Sequence, residues 1–213
     1  MSTILIIGAS KGIGLETVKA GLAAGHTVRA FARSASSIPI EDAKLTKIPG
    51  DALSRADLDK ALNGVDAVIQ SLGVASLQEL VFGTTLFSAS SRILVDAMKS
   101  AGVKRLIAVT GAGAGNSRGR INPLYDNLIF PILLQRVYAD KDIAEETIAQ
   151  SGLDWTIVRP GMLTNGATTG RIKALPDMKD WRGGAISRAD TGAFLVSQVS
   201  DRSMIGKTPL LIS

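Results

Sequence analysis

Three glycines and a lysine near the start of this 213-residue chain form its first candidate chemical site. In "ILIIGASKGIG", Gly8, Gly12 and Gly14 follow four branched apolar residues, and Lys11 stands between the first two glycines. A strand that turns tightly into a helix needs residues without a Cβ, and the N–H groups that open such a helix bind phosphate oxygens. The stretch therefore predicts a dinucleotide-binding turn, with a tight turn that binds no ligand as the alternative.

The order of residues in this stretch excludes a nucleoside-triphosphate P-loop. In that motif the lysine follows the second glycine, whereas Lys11 precedes Gly12. The glycines therefore predict a dinucleotide and not a triphosphate as the ligand.

Cations rather than an acid follow the second apolar run. In "RAFARS", Arg33 comes directly after Ala32, and the first acids are Glu41 and Asp42. An acid at this place binds the free ribose 2′-OH of NAD(H), whereas an arginine binds a 2′-phosphate through two N–H groups. Together with Lys11, Arg33 predicts NADP(H) in preference to NAD(H). The alternative is a pair of solvated surface cations.

Apolar runs rich in Ile and Val alternate with helix-length segments along the chain. This alternation predicts an α/β protein with a doubly wound parallel sheet and helices on both faces. The strands are apolar throughout, as in sheets buried on both sides. They are predicted at 3–8, 26–32, 43–50, 66–73, 103–111 and 154–161.

The intervening segments predict helices, and the chain changes character after residue 161. We interpret 1–213 as one domain, in which 162–213 is a small substrate-side elaboration. This polar, turn-rich segment includes a helix capped by Ser187, a last strand in "TPLLIS", and Trp181 as a candidate for the substrate pocket or else a packing residue. Helices are also predicted over 13–24, over 54–62 with Ser54 as the cap, over 76–100, and over 127–150 with Pro131 near its start.

Composition excludes several classes of function. The chain has no cysteine and one histidine, so neither disulfides nor a thiolate or histidine metal site is expected. Its net charge of +5 is evenly spread and only 4% of residues are aromatic, which argues against a nucleic-acid surface and suits an anionic small ligand. No apolar run approaches the roughly 20 residues of a membrane span. We expect a cytoplasmic monomer or small homo-oligomer with a small-molecule substrate.

Four motifs spread over nearly the whole chain carry a resemblance to a known family. They are "GASKGIG", "GD" at residues 50–51, "SLG" at 71–73, and "SGLDWTIVRPG" at 151–161 after a helix with "KDIAEE". Together they resemble the short-chain dehydrogenase/reductase superfamily. The last motif is similar to its atypical NAD(P)-binding branch, which includes biliverdin-IXβ/flavin reductase and epimerase/dehydratase-like proteins.

The resemblance implies a Rossmann fold with the nicotinamide above the ends of the fourth to sixth strands. It places Arg159 near the cofactor and, together with the turn and the cations above, gives a set of candidate cofactor-binding residues. They are Gly8, Ser10, Lys11, Gly12, Ile13, Gly14, Arg33, Ser34, Asp51, Ala52, Ser71, Leu72, Gly73, Thr110, Lys141, Pro160 and Gly161.

The chain departs from the catalytic residues that the resemblance implies. The best-known branch uses a serine after the fifth strand and a Tyr-x-x-x-Lys pair on the next helix. Lys141 fits that lysine, but Val137 stands at the tyrosine position, Tyr138 is one residue late, and Thr110 with Gly111 replaces the serine. The catalytic candidates are therefore Lys141, Thr110 and, as the weakest, Tyr138, and the acid–base set is incomplete.

An incomplete acid–base set favours chemistry that needs no general acid from the protein. Hydride can pass from a nicotinamide directly to a stacked conjugated acceptor, with the proton taken from solvent. The sequence thus predicts an NADPH-dependent reductase of a flavin- or quinone-type molecule. A non-catalytic NADP(H)-sensing regulator is the alternative, and a nucleotide-sugar epimerase or dehydratase is a lesser one.

Overall fold

The computed structural model describes residues 1–74, 79, 82–115 and 135–213. Its apolar runs form strands that are one to four residues shorter than the predicted segments. The strands are β1 (Thr3–Ile7), β2 (Thr27–Ala32), β3 (Leu45–Pro49), β4 (Ala67–Gln70), β5 (Arg105–Val109), β6 (Asp154–Pro160), β7 (Met162–Thr164), β8 (Lys173–Leu175), β9 (Ala185–Ser187) and β10 (Leu210–Ile212).

In the described residues, eight strands form one sheet in the order β3-β2-β1-β4-β5-β6-β10-β8. All neighbouring pairs are parallel except β10 and β8, which are antiparallel. The direction of winding reverses between β1 and β4, so the doubly wound sheet is confirmed. In such sheets the ligand crevice opens outside the carboxyl ends of the strands at the reversal.

Helices cover both faces of this sheet, as predicted. Along β1, Ile4 and Ile6 face a core shared with the first and last of these helices, while Leu5 and Ile7 face a core shared with the other three. All four side chains are buried. The helices are α1 (Gly12–Ala23), α2 (Arg55–Leu62), α3 (Leu86–Ala101), α4 (Gln135–Ala149) and α5 (Arg188–Ser197).

The predicted helix caps are confirmed at two serines. The Ser54 hydroxyl accepts a hydrogen bond from the Asp57 amide at the start of α2, and the Ser187 hydroxyl accepts one from the Asp190 amide at the start of α5. Pro131 and the predicted first turns of the fourth helix lie outside the described residues. None of the helices described is long and apolar enough to cross a membrane.

The third predicted helix is interrupted within its amphipathic pattern. The pattern predicts one helix over 76–100. Glu79 and Phe82 are helical, the helix breaks at Gly83, which adopts a left-handed φ of 87°, and α3 then begins at Leu86. The buried Asp140 carboxylate of α4 accepts hydrogen bonds from the Phe87 and Ser88 amides at 2.8 and 3.3 Å. A distant side chain therefore supplies the cap that fixes this start.

The segment after β6 forms the short strands β7, β8 and β9, which the sequence pattern did not predict. Strand β7 pairs with β9, and β8 joins the edge of the main sheet through β10. The buried Asp190 carboxylate holds the segment by accepting hydrogen bonds from the Thr169 and Gly170 amides at 2.9 and 3.0 Å. It also accepts bonds from the Thr169 and Ser187 hydroxyls.

The Asp190 carboxylate predicts an acid-sensitive step in stability. Burial raises the pKa of Asp190, but the hydrogen bonds from Gly170, Thr169 and Ser187 outweigh it and hold the pKa below its ordinary value. Because the folded-state pKa is depressed, this stability is complete above the unfolded value of about 4 and is lost as pH falls through the folded pKa.

We expect Asp190→Asn to lower the free energy of unfolding at neutral pH by about 3 kcal/mol, since hydrogen bonds to a charged group are lost. The loss should shrink as the pH of the thermal melts is lowered below about 4. Asp177→Asn is the matched control, because Asp177 is exposed in the same segment and lies 3.9 Å from the Lys179 ammonium. Equal melting temperatures for the Asp190 and Asp177 variants would contradict this role.

Candidate functional site

The glycine-rich turn brings β1, β4 and α1 closer together than side chains would allow. Gly8 has a φ of 84°, and a Cβ built there would lie 2.4 Å from the Ser71 carbonyl oxygen. A Cβ on Gly14 would lie 2.1 Å from the Gly8 carbonyl oxygen. Gly8 therefore allows the turn to approach Ser71 after β4, and Gly14 allows α1 to approach the turn.

Gly12 differs from these two glycines, because the space beside it is open. Its φ is 60°, and no atom lies within 4 Å of the position that a Cβ would take. Lys11, the residue that caps α1, makes no side-chain cap hydrogen bond, and the first turn holds no acid. The amino terminus of α1 is thus arranged as a cradle for an anion.

Two exposed cations flank this cradle. Lys11 lies in the turn itself and Arg33 follows β2 directly, and neither side chain makes an ion pair or hydrogen bond within the described ranges. The acids that come next are engaged elsewhere. Glu41 accepts a hydrogen bond from the Lys47 ammonium at 2.5 Å, and Asp42 accepts one from the Lys44 amide at 2.8 Å.

Polar groups from α4 meet the loop after β5 at the same edge of the sheet. The Lys141 ammonium donates a hydrogen bond to the Thr110 carbonyl at 2.6 Å and lies 5.0 and 4.6 Å from the ring centres of Phe87 and Tyr138. Burial lowers the pKa of Lys141 to about 8, while the negative charge of Glu145 acts in the opposite direction. With this lowered pKa, Lys141 loses its proton in a pH range that a titration of the folded protein can cover.

A buried ion pair between Glu145 and Arg159 lies next to Thr110 in this cluster. The Glu145 carboxylate accepts two hydrogen bonds from the Arg159 guanidinium, at 3.0 and 2.5 Å, and a third from the Thr110 hydroxyl at 2.6 Å. Arg159 is the last but one residue of β6, and its guanidinium lies 5.4 Å from the ring centre of Trp181. The ends of β5 and β6, helix α4 and the segment after β6 are thereby joined.

The turn between β1 and α1 and the polar groups above β5 and β6 all lie within the range that a known family matches. The NAD(P)H-binding family model matches residues 8–202. This chain belongs to the NAD(P)H-binding family.

The chain is also similar to individual proteins and to solved structures. A protein named as an uncharacterized sugar epimerase, YhfK of Bacillus subtilis, is 27% identical over 183 residues, which are 84% of this chain and 78% of that protein. ChuY of Escherichia coli O157:H7, described as an anaerobillin reductase, is 26% identical with a TM-score of 0.79 over 99% of this chain and 97% of that one. An NADP complex of a short-chain dehydrogenase/reductase from Veillonella parvula has a TM-score of 0.83 at 19% identity over 100% and 94% of the two chains.

The remaining cofactor candidates of this NAD(P)H-binding chain lie at strand ends, and several have packing partners. Asp51 accepts a hydrogen bond from the Leu53 amide at 3.0 Å, as in a turn that leads into a helix. A Cβ on Gly161 would lie 2.5 Å from the Gly184 carbonyl oxygen. Their contact with a cofactor stays a prediction. Ser10, Ile13, Ser71 and Leu72 are partly exposed, Ser34 and Gly73 are exposed, Ala52 is buried, and Pro160 ends β6.

The structure places Tyr138 beside the strand end and Val137 away from it. Val137 is buried in a small apolar cluster with Phe87 and Ala144. A Cβ on Gly111 would lie 3.0 Å from the Tyr138 hydroxyl and 3.7 Å from the Lys141 ammonium. The one-residue shift in sequence therefore turns the tyrosine toward the loop after β5, while its ring stays against Lys141.

Sequence reasoning did not identify Glu145 as part of this cluster. Two signals were present, namely its position one helical turn after Lys141 and the arginine before Pro160. An i,i+4 pair on a helix is ordinarily a surface ion pair, however, so neither signal distinguished a buried partner for Arg159.

Proposed function

We propose that this protein is an NADPH-dependent reductase that transfers hydride to a flat conjugated acceptor of the flavin or quinone type. The observation that carries the proposal is that the polar groups above β5 and β6 are bonded to one another. The Thr110 hydroxyl donates to Glu145 and the Lys141 ammonium donates to the Thr110 carbonyl. A hydroxyl that is committed to a buried carboxylate is poorly placed to act on a substrate oxygen.

The residues of the cradle fit the cofactor. Gly12 leaves room for a pyrophosphate against the opening amides of α1, and Lys11 and Arg33 supply positive charge where a ribose 2′-phosphate would lie. The neighbouring acids are engaged with Lys47 and with their own turn, so they do not offer a carboxylate to a free 2′-OH. These contacts support NADP(H) in preference to NAD(H).

When bound, NADPH would supply the hydride, and the acceptor would take it together with a proton from solvent. The products are NADP⁺ and the reduced acceptor, so charge and atoms balance without an acid from the chain. In this proposal the protein aligns the two rings and excludes water, and Lys141 holds the cofactor ribose. The likeness to ChuY, whose description names a reductase, supports the same class of reaction.

Tyr138→Phe tests the mechanism. We expect turnover of NADPH with a flavin or quinone to fall by less than about fivefold, because a general acid worth about 10²–10⁴ in rate is not used. The assay follows NADPH consumption with a flavin, a quinone and a simple aldehyde, with cofactor affinity measured in parallel.

A loss of about a hundredfold or more on any accepted substrate, with cofactor binding intact, would restore an acid–base mechanism. That outcome would favour a carbonyl reductase or an epimerase, the activity in the name of YhfK. Tight NADPH binding without turnover in either protein would contradict the reductase and favour the NADP(H)-sensing regulator.

A further inference from the structure

The Glu145 carboxylate is the point at which three elements of the site meet. It projects from α4 and accepts hydrogen bonds from the Thr110 hydroxyl after β5 and from the Arg159 guanidinium of β6. Only 7% of Glu145 and 3% of Arg159 is exposed. A carboxylate removed from water in this way must be matched by donors, and here three N–H or O–H groups point at it.

Backbone closes over this ion pair from the loop after β5. Gly115 has a φ of 55°, and a Cβ there would lie 2.4 Å from Arg159 and 2.7 Å from Glu145. Its amide donates a hydrogen bond to the Asp142 carboxylate at 2.6 Å. The loop after β5 is therefore held to α4 from both sides of the ion pair, and a side chain in place of Gly115 would displace it.

The side chain that Glu145 affects most is Lys141, four residues earlier on α4. Its ammonium donates to the Thr110 carbonyl, and Glu145 accepts from the Thr110 hydroxyl, so these two side chains of α4 hold Thr110 at both ends. In the described part of the chain, the other charged or titratable groups next to Lys141 or bonded to Glu145 are Tyr138, Asp140, Asp142 and Arg159. Asp140 is committed to the Phe87 and Ser88 amides, and Asp142 to the Gly115 amide.

We propose that Glu145 is a positioning residue that holds Thr110 in place and keeps the Lys141 ammonium charged where it binds the cofactor ribose. The inference rests on the proposed function for the role of Lys141 toward the cofactor. Glu145 itself touches neither the cofactor nor the acceptor. It acts through the Thr110 hydroxyl and through its negative charge.

Titration of Lys141 tests the charge directly. The ¹³Cε resonance of Lys141, assigned by its absence in Lys141→Met, is followed against pH in the wild-type protein and in Glu145→Gln. Glu145 favours the ammonium, so its neutralisation should lower the midpoint by about one pH unit or more. Glu146→Gln is the matched control, because Glu146 is exposed on the same helix and accepts a hydrogen bond from Gln150. An unchanged midpoint in Glu145→Gln would overturn the proposal.

NADPH affinity against pH tests the connection to the cofactor. If the ammonium binds the ribose, affinity falls as pH rises through the lysine midpoint, and this fall should begin at lower pH in Glu145→Gln. In the Lys141→Met background the Glu145→Gln change should leave the pH dependence unaltered. A purely structural role predicts the same loss in both backgrounds, and that result would count against the proposal.

A second variant covers the case in which Glu145→Gln does not fold. Thr110→Val keeps the ion pair with Arg159 and removes only the hydroxyl that Glu145 holds. We expect this variant to remain folded and to bind NADPH several-fold more weakly, whereas unchanged affinity would overturn the proposal. The titration and binding curves need no acceptor. A wild-type protein that binds NADPH without turnover therefore contradicts the reductase and leaves Glu145 to be judged by these curves.

Discussion

Arg33→Ala is expected to weaken NADPH binding by about ten- to a hundredfold and to leave NADH binding nearly unchanged. A hydrogen bond from a guanidinium to a phosphate contributes about 1.5–3 kcal/mol. NADH has no 2′-phosphate, so its binding does not depend on this hydrogen bond. Lys11→Ala should act in the same direction. The wild-type protein should accordingly prefer NADPH by roughly a hundredfold or more, as two such contacts require.

Both cofactors are titrated at one fixed ionic strength, because contacts between exposed charges are screened by salt. Arg202→Ala is the matched control. Arg202 is an exposed arginine that pairs with Asp154 at the amino end of β6, on the edge of the sheet opposite the cradle. Equal affinities of the wild-type protein for the two cofactors would contradict the NADP(H) assignment, as would an Arg33→Ala protein that keeps its preference.

Gly12→Ala should abolish most cofactor binding in a protein that still folds. The methyl group meets no atom of the chain, so the expected cost in stability is that of a left-handed alanine, about 1–2 kcal/mol. The same methyl group would occupy the space where the pyrophosphate approaches the opening amides of α1. Loss of these charge-assisted hydrogen bonds should weaken NADPH and NADH alike, by at least about a hundredfold.

Gly25→Ala separates the two effects of that substitution. Gly25 also has a left-handed φ, 82°, with no atom within 4 Å of a Cβ, but it lies between α1 and β2 at the opposite end of the helix. It should lose similar stability in a thermal melt and keep its affinity for both cofactors. If Gly12→Ala binds NADPH as well as Gly25→Ala does, the open space at Gly12 is not the phosphate cradle.

The parts of the fold that follow from short-range pattern could be predicted from the sequence. Buried parallel strands such as β1 and β5 are continuous apolar runs, and the Ser54 and Ser187 caps are each specified within four residues. The start of α3 could not be predicted, because the Asp140 carboxylate that caps it lies more than fifty residues further along the chain. The amphipathic pattern continues through Gly83, but the helical backbone breaks there, because Gly83 has a left-handed φ.

The candidate site shows the same division. The turn at Gly8 and the cations of the cradle could be found because tight turns and charge have local signatures. The burial of Glu145 against Arg159 could not, since a charged residue on a helix gives the same pattern whether it faces solvent or a strand end. Strands β7, β8 and β9 have three residues each, too few to show an alternation.

The position of β10 between β6 and β8 has a consequence for the order in which the protein folds. Strands β1 to β6 can pair as soon as residue 160 is available, but β6 gains its outer neighbour only from residues 210–212. The intervening chain must form a large loop before it gains these contacts, and pairing across large loops is slow. Because Trp181 packs against Leu210 and Ile212 of this late edge, the Trp181 side of the site should form last during synthesis, whereas the turn after β1 can pair with β2 and β4 earlier.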